Sequence, residues 1–270
     1  MRTAISSFLF AVATIAFPAV AEDRSARFVQ MMSYLPDAAI SNRSPLVPEF
    51  VDYEAAASVI TDMLAAGTAE VVPEARRSMG GPLAKAPQGQ DWTPRVGFGR
   101  NDLRAGVLVD DPESRARVLL LPPEVMPRIV PVLLANGYAV TDDRGFPAYW
   151  RGDDDLREYR ELRSKDDPFT YPLPVSSRIA LDGDVLMQSS TWPMLEAMFA
   201  TSETSQALTA FGQVLDLPDW GDRKLIHASV FSDPSVFAPR LNFSKDLAPM
   251  DASVGGVPYW SNLMLADLGG

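Results

Sequence analysis

A strand–helix–strand pattern dominates the first half of the chain. Residues 117–121 form a nearly continuous apolar run, which is typical of a strand covered on both faces. The apolar positions from Met126 to Leu134 recur at helical spacing, and Gly137 is a typical helix end. Residues 138–141 and 147–150 follow as two strands that pair with each other. We expect a kink or an early break at Pro131, because proline removes a helical hydrogen bond.

A β-hairpin is the strongest local pattern in the second half. Residues 178–181 and 184–187 are two mostly apolar stretches separated by Asp182-Gly183, a dipeptide that favours a two-residue type I′ turn. In that register Ile179 lies opposite Leu186, and Ala180 lies opposite residue 185. Both faces of the hairpin are therefore apolar, and we expect other elements to cover each of them.

Several further elements follow from shorter patterns. Residues 49–51 predict a strand that leads into a helix capped by Asp52. A helix over residues 192–200 directs Trp192, Leu195 and Phe199 inward, and residues 224–231 alternate as a strand. Residues 233–258 contain prolines and little periodicity, so we expect them to be largely irregular, before a last strand at residues 260–268.

These patterns predict an α+β fold, with mixed β-sheets and helices packed on them. The sharpest change in composition lies at residues 151–167, where twelve of the seventeen residues are charged. We therefore predict two lobes of strand–helix–strand units, an N-terminal lobe at residues 22–150 and a C-terminal lobe at residues 176–270, joined by a charged connector at residues 151–175. Whether the lobes arose by duplication stays open.

The first twenty-one residues have the pattern of a signal peptide. Arg2 precedes a mostly apolar stretch over residues 4–17, and Pro18 is followed by small residues that end at Ala21. We expect cleavage after Ala21 and export to the periplasm or secretion, with no membrane span in the mature protein. The alternative is an uncleaved N-terminal anchor, although the apolar stretch is short for a transmembrane helix.

Composition excludes several classes of function. The chain has 270 residues and a net charge of −11, which argues against a nucleic-acid partner because phosphate binding needs a basic surface. It contains no cysteine, so disulfides, thiol nucleophiles and thiolate-bound metals are excluded. We expect no cofactor, and neither a nucleotide-binding glycine motif nor a serine-hydrolase motif occurs.

Catalytic and metal-binding candidates are few. His227 is the single histidine, and Ser229 lies two positions further along the same predicted strand. This pair could act as base and nucleophile, but side chains two apart on a strand project in parallel, which favours a structural role. The acidic run Asp153, Asp154 and Asp155 could bind a hard cation, although a run of charges is more often a solvated surface.

Aromatic residues beside loops are the binding candidates: Tyr149, Trp150, Trp192, Trp220 and Trp260. Such residues suit contact with protein or carbohydrate, or they cover the edges of the core. The leading hypothesis is an exported, non-catalytic binding or accessory protein whose partner protein or small ligand in the cell envelope is unknown. The alternatives are a periplasmic hydrolase that uses Asp and Glu carboxylates and a structural subunit of an envelope complex.

Overall fold

The structure is a computed structural model, which describes residues 27–36, 49–65, 91–109, 115–152, 167–169, 176–200, 223–231, 247–254 and 257–267. For residues 59, 60 and 62–65, and for those after residue 200, it describes the backbone only. In chain order the elements are α1 (residues 27–33), β1 (Glu49–Asp52), α2 (Tyr53–Ala65), α3 (Thr93–Val96), β2 (Ala105–Val109), β3 (Ala116–Leu120), α4 (Met126–Ala135), β4 (Ala139–Thr141), β5 (Ala148–Arg151), β6 (Ser177–Asp182), β7 (Val185–Ser189), α5 (Trp192–Ala200), β8 (Arg223–Phe231), β9 (Leu247–Val254) and β10 (Val257–Asp267).

The described strands form one sheet in the order β4-β5-β6-β7-β3-β2-β1-β8-β10-β9. Every neighbouring pair is antiparallel. The prediction of an α+β fold is therefore confirmed. The prediction of mixed sheets is wrong for the described strands, because no parallel pair occurs among them. Strands from before and after the charged connector pair with each other, since β3 pairs with β7 and β5 with β6. The division of the chain into two lobes stays a prediction.

The central strands are apolar on both faces of the sheet. In β3, Val118 belongs to one hydrophobic cluster and its neighbour Leu119 to another. On the first face, α1 and α5 cover the sheet through Met31 and Leu195, among others. On the second face, α3 and α4 cover it through buried residues such as Ile129. Because side chains alternate along a strand, helices on both sides keep all five residues of β3 out of water.

The hairpin of β6 and β7 is confirmed, but its predicted register is wrong. The turn residues are Gly183 and Asp184, and Ile179 pairs with Gln188 rather than with Leu186. Gly183 has a φ of 58°, a left-handed conformation that glycine adopts without steric cost. The turn therefore lies one residue later in the chain than predicted, and each residue of β6 pairs with a residue two positions further along β7. A shift of two positions keeps every side chain on its predicted face of the sheet. The expectation that each face is covered is confirmed, since Leu186 packs in the cluster of the second face.

Two predicted helices form, with corrections to their buried residues. Asp52 caps α2 as predicted, because its Oδ1 accepts a hydrogen bond of 2.8 Å from the Ala55 N–H. In α5 the prediction that Phe199 points inward is wrong, since 38% of it is exposed. Met194 and Met198 lie buried beside Leu195 instead. Met194 and Met198, four residues apart, lie on the same side of α5 and form its buried face with Leu195. Phe199 therefore lies at the edge of that face, toward solvent.

The strand–helix–strand unit of the first half is a long crossover. The helix α4 begins at Met126 and continues through Pro131 to Ala135, so the expected early break is wrong. Pro127 and Pro131 are both exposed, so water can hydrogen-bond the carbonyl that lacks a helical partner. The alternation of antiparallel pairs makes β3 and β4 parallel, with β5, β6 and β7 between them.

The far end of the sheet contains a strand that the sequence did not indicate. The expectation of irregular structure at residues 233–258 is wrong over β9, which pairs with β10 and lies at the edge of the sheet. The predicted strands at residues 224–231 and 260–268 are confirmed as β8 and β10. None of the helices in the described ranges combines the length and apolar character that a membrane span requires.

The backbones of α3 and α4 approach each other closely at Gly97. It follows α3 with a φ of 85°, and a Cβ there would lie 2.7 Å from the Ile129 Cα and 2.9 Å from the Arg128 carbonyl oxygen. We expect Gly97→Ala to lower the free energy of unfolding by about 3 kcal/mol, because the left-handed conformation and a backbone clash add. Urea unfolding of the purified variant measures this loss.

Gly145→Ala is the matched control. Gly145 has a φ of 82°, but a Cβ there would meet nothing within 4 Å. The free energy of unfolding of Gly145→Ala should therefore fall by only about 1 kcal/mol, which is the cost of the left-handed conformation alone. Equal losses in the two variants would show that α3 and α4 do not approach as closely as the structure has them.

Tyr34, directly after α1, forms a hydrogen bond with the end of β6 at the β6–β7 turn. Its hydroxyl donates a hydrogen bond of 3.0 Å to Asp182 Oδ2. Burial, together with this hydrogen bond, raises the pKa of Tyr34 from 10.0 to about 12. The stabilising contribution of the neutral phenol is therefore complete below pH 10 and is lost as the pH rises through about 12.

We expect the stability difference between the wild type and Tyr34→Phe to shrink over that interval. Urea unfolding of both proteins at a series of pH values measures it. In an Asp182→Ala background the effect of Tyr34→Phe should depend less on pH, because burial still raises the pKa of Tyr34 but the hydrogen bond to Asp182 is absent. If the stability difference between the wild type and Tyr34→Phe stays constant from pH 10 to about 12, the raised pKa of Tyr34 is contradicted.

Candidate functional site

Two of the predicted aromatic residues meet on the first face, at the end of the sheet formed by β4, β5 and β6. Trp150 lies on β5 and Trp192 at the start of α5, and their ring centroids are 6.3 Å apart with an interplanar angle of 61°. Both side chains are partly exposed. The sequence identified both residues, but it could not show that β5 and α5 bring them together.

Charged and aromatic neighbours extend this pair into a surface. The Arg144 guanidinium lies 4.4 Å from the centre of the Trp192 ring and forms an ion pair with Glu196. Phe199 lies one turn further along α5 and stacks on Phe146 with centroids 4.1 Å apart. We define the aromatic surface by five partly or fully exposed residues: Arg144, Trp150, Trp192, Glu196 and Phe199.

Arg178 supports the aromatic surface from below. It lies on β6 directly opposite Trp150, is 1% exposed, and its guanidinium is 5.4 Å from the centre of the Trp192 ring. Its Nη1 donates to the Ser190 carbonyl at 3.0 Å, and its Nη2 donates to the Gly152 carbonyl at 3.0 Å. A buried guanidinium stays charged, so these acceptors fix its position and hold the ends of β5 and β7 beneath the tryptophans.

Of the other three aromatic candidates, Tyr149 has a described side chain, and it lies away from this surface. Tyr149 lies on the second face, where it packs against the apolar cluster. Trp260 lies on β10, where its backbone pairs with Phe231 and Pro249. Trp220 lies outside the described residues. The role of these three residues in binding stays a prediction.

The catalytic and metal candidates are not tested. His227 and Ser229 lie on β8, where they pair with Val51 and Glu49 of β1. Their side chains lie outside the part that is described, and so does the acidic run at residues 153–155. Within the described residues, no group of three or more acidic or histidine side chains could hold a metal ion.

A buried polar cluster on the second face was missed by the sequence reading. Arg117 Nη1 donates to Gln188 Oε1 at 2.7 Å, across the paired strands β3 and β7. Arg151 Nη2 lies 3.3 Å from Asp167 Oδ2, and Asp167 Oδ1 accepts the Phe169 N–H at 2.9 Å. The polar cluster comprises Arg117, Tyr138, Arg151, Asp167, Ser177 and Gln188.

This cluster buries two charged residues of the predicted connector. Asp167 is 2% exposed and the Arg151 side chain 17%, although twelve of the seventeen residues at 151–167 are charged. Opposite charges pair here, so each ion can be buried at a lower cost. The sequence feature that could have indicated this cluster is Arg117, a charged residue at the start of an otherwise apolar strand.

The chemistry of the two regions differs. The aromatic surface presents large apolar rings and exposed charges to solvent, as a contact surface does. The polar cluster lies in the interior, where burial and the Asp167 charge raise the pKa of Tyr138, against smaller opposing effects of the Ser177 hydroxyl and of two arginines. Tyr138 therefore remains a protonated hydrogen-bonding group over the physiological pH range.

Comparison with known proteins gives no relative. No protein-family model, no curated protein and no solved structure matches this chain.

Replacing Arg178 should lower the free energy of unfolding far more than replacing Arg144, although both guanidiniums contact Trp192. Arg178→Met leaves two carbonyls without their donor in a buried setting, so we expect a loss of about 3 kcal/mol in the free energy of unfolding. Arg144→Met removes an exposed ion pair and should cost less than about 1 kcal/mol. Chemical unfolding monitored by tryptophan fluorescence measures both, and similar costs would contradict the supporting role of Arg178.

Proposed function

We propose that this chain is an exported, non-catalytic protein of the cell envelope that binds a partner protein through the aromatic surface. The observation that carries the proposal is the packing of Trp150 and Trp192 with Arg144 at one exposed corner of the sheet. Tryptophan and arginine are enriched among the residues that dominate protein–protein binding energy. The signal-peptide pattern of residues 1–21 supports the location.

The rigidity of this surface supports binding. Trp150 is held on a paired strand, and the Trp192 ring contacts Trp150 and two guanidiniums. Phe199 is held by its stacking on Phe146. Side chains that are already ordered lose little conformational entropy when a partner binds, which favours affinity.

A protein partner fits this surface better than a carbohydrate does. A sugar ring stacks on a flat, open aromatic face, whereas the planes of Trp150 and Trp192 meet at 61°. The Arg144 guanidinium also lies 4.4 Å from the Trp192 ring centre, so that ring is partly covered. An angled aromatic pair with a charged rim matches instead the irregular side chains of a protein surface.

Two positions with similar exposure on opposite sides of the sheet allow a direct test. Phe199 belongs to the aromatic surface and is 38% exposed, and Leu134 is 44% exposed on α4 over the second face. A photoreactive phenylalanine analogue is placed at either position, and the protein is irradiated in the cells that naturally produce it. We expect a defined protein adduct from position 199 and none from position 134.

Trp192→Leu should lower the adduct yield from position 199 about tenfold or more, because truncating a dominant contact costs about 2 kcal/mol. Mass spectrometry of the adduct also shows whether the chain begins at Glu22, as cleavage after Ala21 requires. Equal adducts at both positions, or a yield unaffected by Trp192→Leu, would overturn the proposal. Hydrolysis of an ester, peptide or glycoside substrate by the purified protein would favour the carboxylate hydrolase instead.

A further inference from the structure

Three buried groups of the polar cluster lack hydrogen-bond partners within the described structure. Gln188 and Ser177 are 0% exposed and Tyr138 is 4% exposed, yet Gln188 Nε2, Ser177 Oγ and the Tyr138 hydroxyl oxygen have no hydrogen-bond partner of good geometry, although the Ser177 and Tyr138 hydroxyls lie close to each other. Buried polar groups are nearly always hydrogen-bonded, and each exception costs folding free energy. Three exceptions within one cluster indicate that something else occupies hydrogen-bonding positions there.

The strand register places these groups in one region of the second face. Arg151 of β5 lies directly opposite Ser177 of β6, and Arg117 of β3 lies directly opposite Gln188 of β7. Gln188 pairs with Ile179, so it lies diagonal to Ser177 on the same face of the hairpin.

Tyr138 joins the group from the segment after α4. Its ring centre lies 5.3 Å from the Arg151 guanidinium. The three groups therefore line one region of the interior together with two guanidiniums and the Asp167 carboxylate, which pairs with Arg151.

All three unpartnered groups can donate hydrogen bonds. The amide orientation of Gln188 is fixed because its Oε1 accepts from Arg117 at 2.7 Å, which leaves Nε2 as a pure donor. The hydroxyls of Ser177 and Tyr138 each carry one proton to donate, and the pKa of Tyr138 is raised by burial. A species that supplies several acceptor atoms, beside two guanidiniums, would satisfy them together.

We propose that the polar cluster binds a small oxyanion, of the class of inorganic phosphate, sulfate or a carboxylate. Gln188, Ser177 and Tyr138 donate to its oxygens. Arg117 supplies the favourable potential, because the charge of Arg151 is paired with that of Asp167. A tetrahedral oxyanion offers acceptor atoms in several directions, whereas a water molecule must also donate protons to acceptors. This site lies on the face of the sheet opposite the aromatic surface, and it does not depend on the proposed partner protein.

Thermal unfolding of the purified protein in increasing phosphate tests the site, with sodium chloride at equal ionic strength as the reference. A ligand that binds the native state stabilises it in proportion to the logarithm of its concentration. We expect Tm to rise by about 5 °C or more once phosphate is well above its Kd. Acetate at the same concentrations distinguishes a carboxylate from a tetrahedral anion.

The double variant Ser177→Ala, Tyr138→Phe removes two donors without breaking any hydrogen bond of good geometry in the structure. It should fold and lose most of the anion-dependent rise in Tm. Tyr149→Phe is the control, because Tyr149 lies on the same face but packs in the apolar cluster, and it should keep the full rise. Native mass spectrometry of the wild type provides a second measurement, as a retained anion adds its own mass.

The Tm responses of the wild type and the double variant distinguish three outcomes. A rise in Tm with phosphate or with acetate that disappears in the double variant supports the site and names its anion class. No response to either anion beyond that to chloride overturns the proposal and leaves ordered water as the occupant. An equal response in the wild type and the double variant also overturns it, because the anion then acts elsewhere on the protein.

Discussion

Burial of both faces of the central strands is the constraint on which this structure depends. Antiparallel sheets often leave one face to solvent, but β3 and most of β6 and β7 are buried on both sides. Each face therefore needs its own helices, and the two hydrophobic clusters follow from that need. The cover ends toward β4, which is largely exposed, and there Trp150 and Trp192 at the start of α5 reach solvent. The exposed corner is thus a direct result of how far the helices extend.

Arginine is used in an unusual way in this acidic chain. Arg115, Arg117 and Arg178 are all at most 9% exposed, although the net charge of the whole chain is −11. A guanidinium cannot lose its proton in a protein, so each one must bring acceptors with it into the core. Arg178 takes backbone carbonyls, and Arg117 takes an amide oxygen. The arginines therefore determine which strand ends must lie close together on each face.

Local patterns predicted most elements, and long-range pairing explains most of the misses. Asp182-Gly183 indicated a hairpin because turn chemistry is local, but the choice of turn residues depends on cross-strand packing and moved by one position. Pro249 argued against a strand at β9, yet an edge strand tolerates proline. Trp150 and Trp192 were identifiable from their neighbours in the chain. The contact between Arg117 and Gln188 was not, because it requires knowing that β3 pairs with β7.

The crossover from β3 through α4 to β4 has a consequence for the order in which the molecule assembles. β4 is made directly after α4, but it lies four positions away from β3, and the strand that fills the place beside β3 begins only at Val185. During synthesis or translocation β3 therefore keeps an unsatisfied edge until much later chain emerges. Such non-local pairing slows folding and prolongs exposure to self-association. A chaperone that shields this edge would act on the nascent chain rather than on the finished protein.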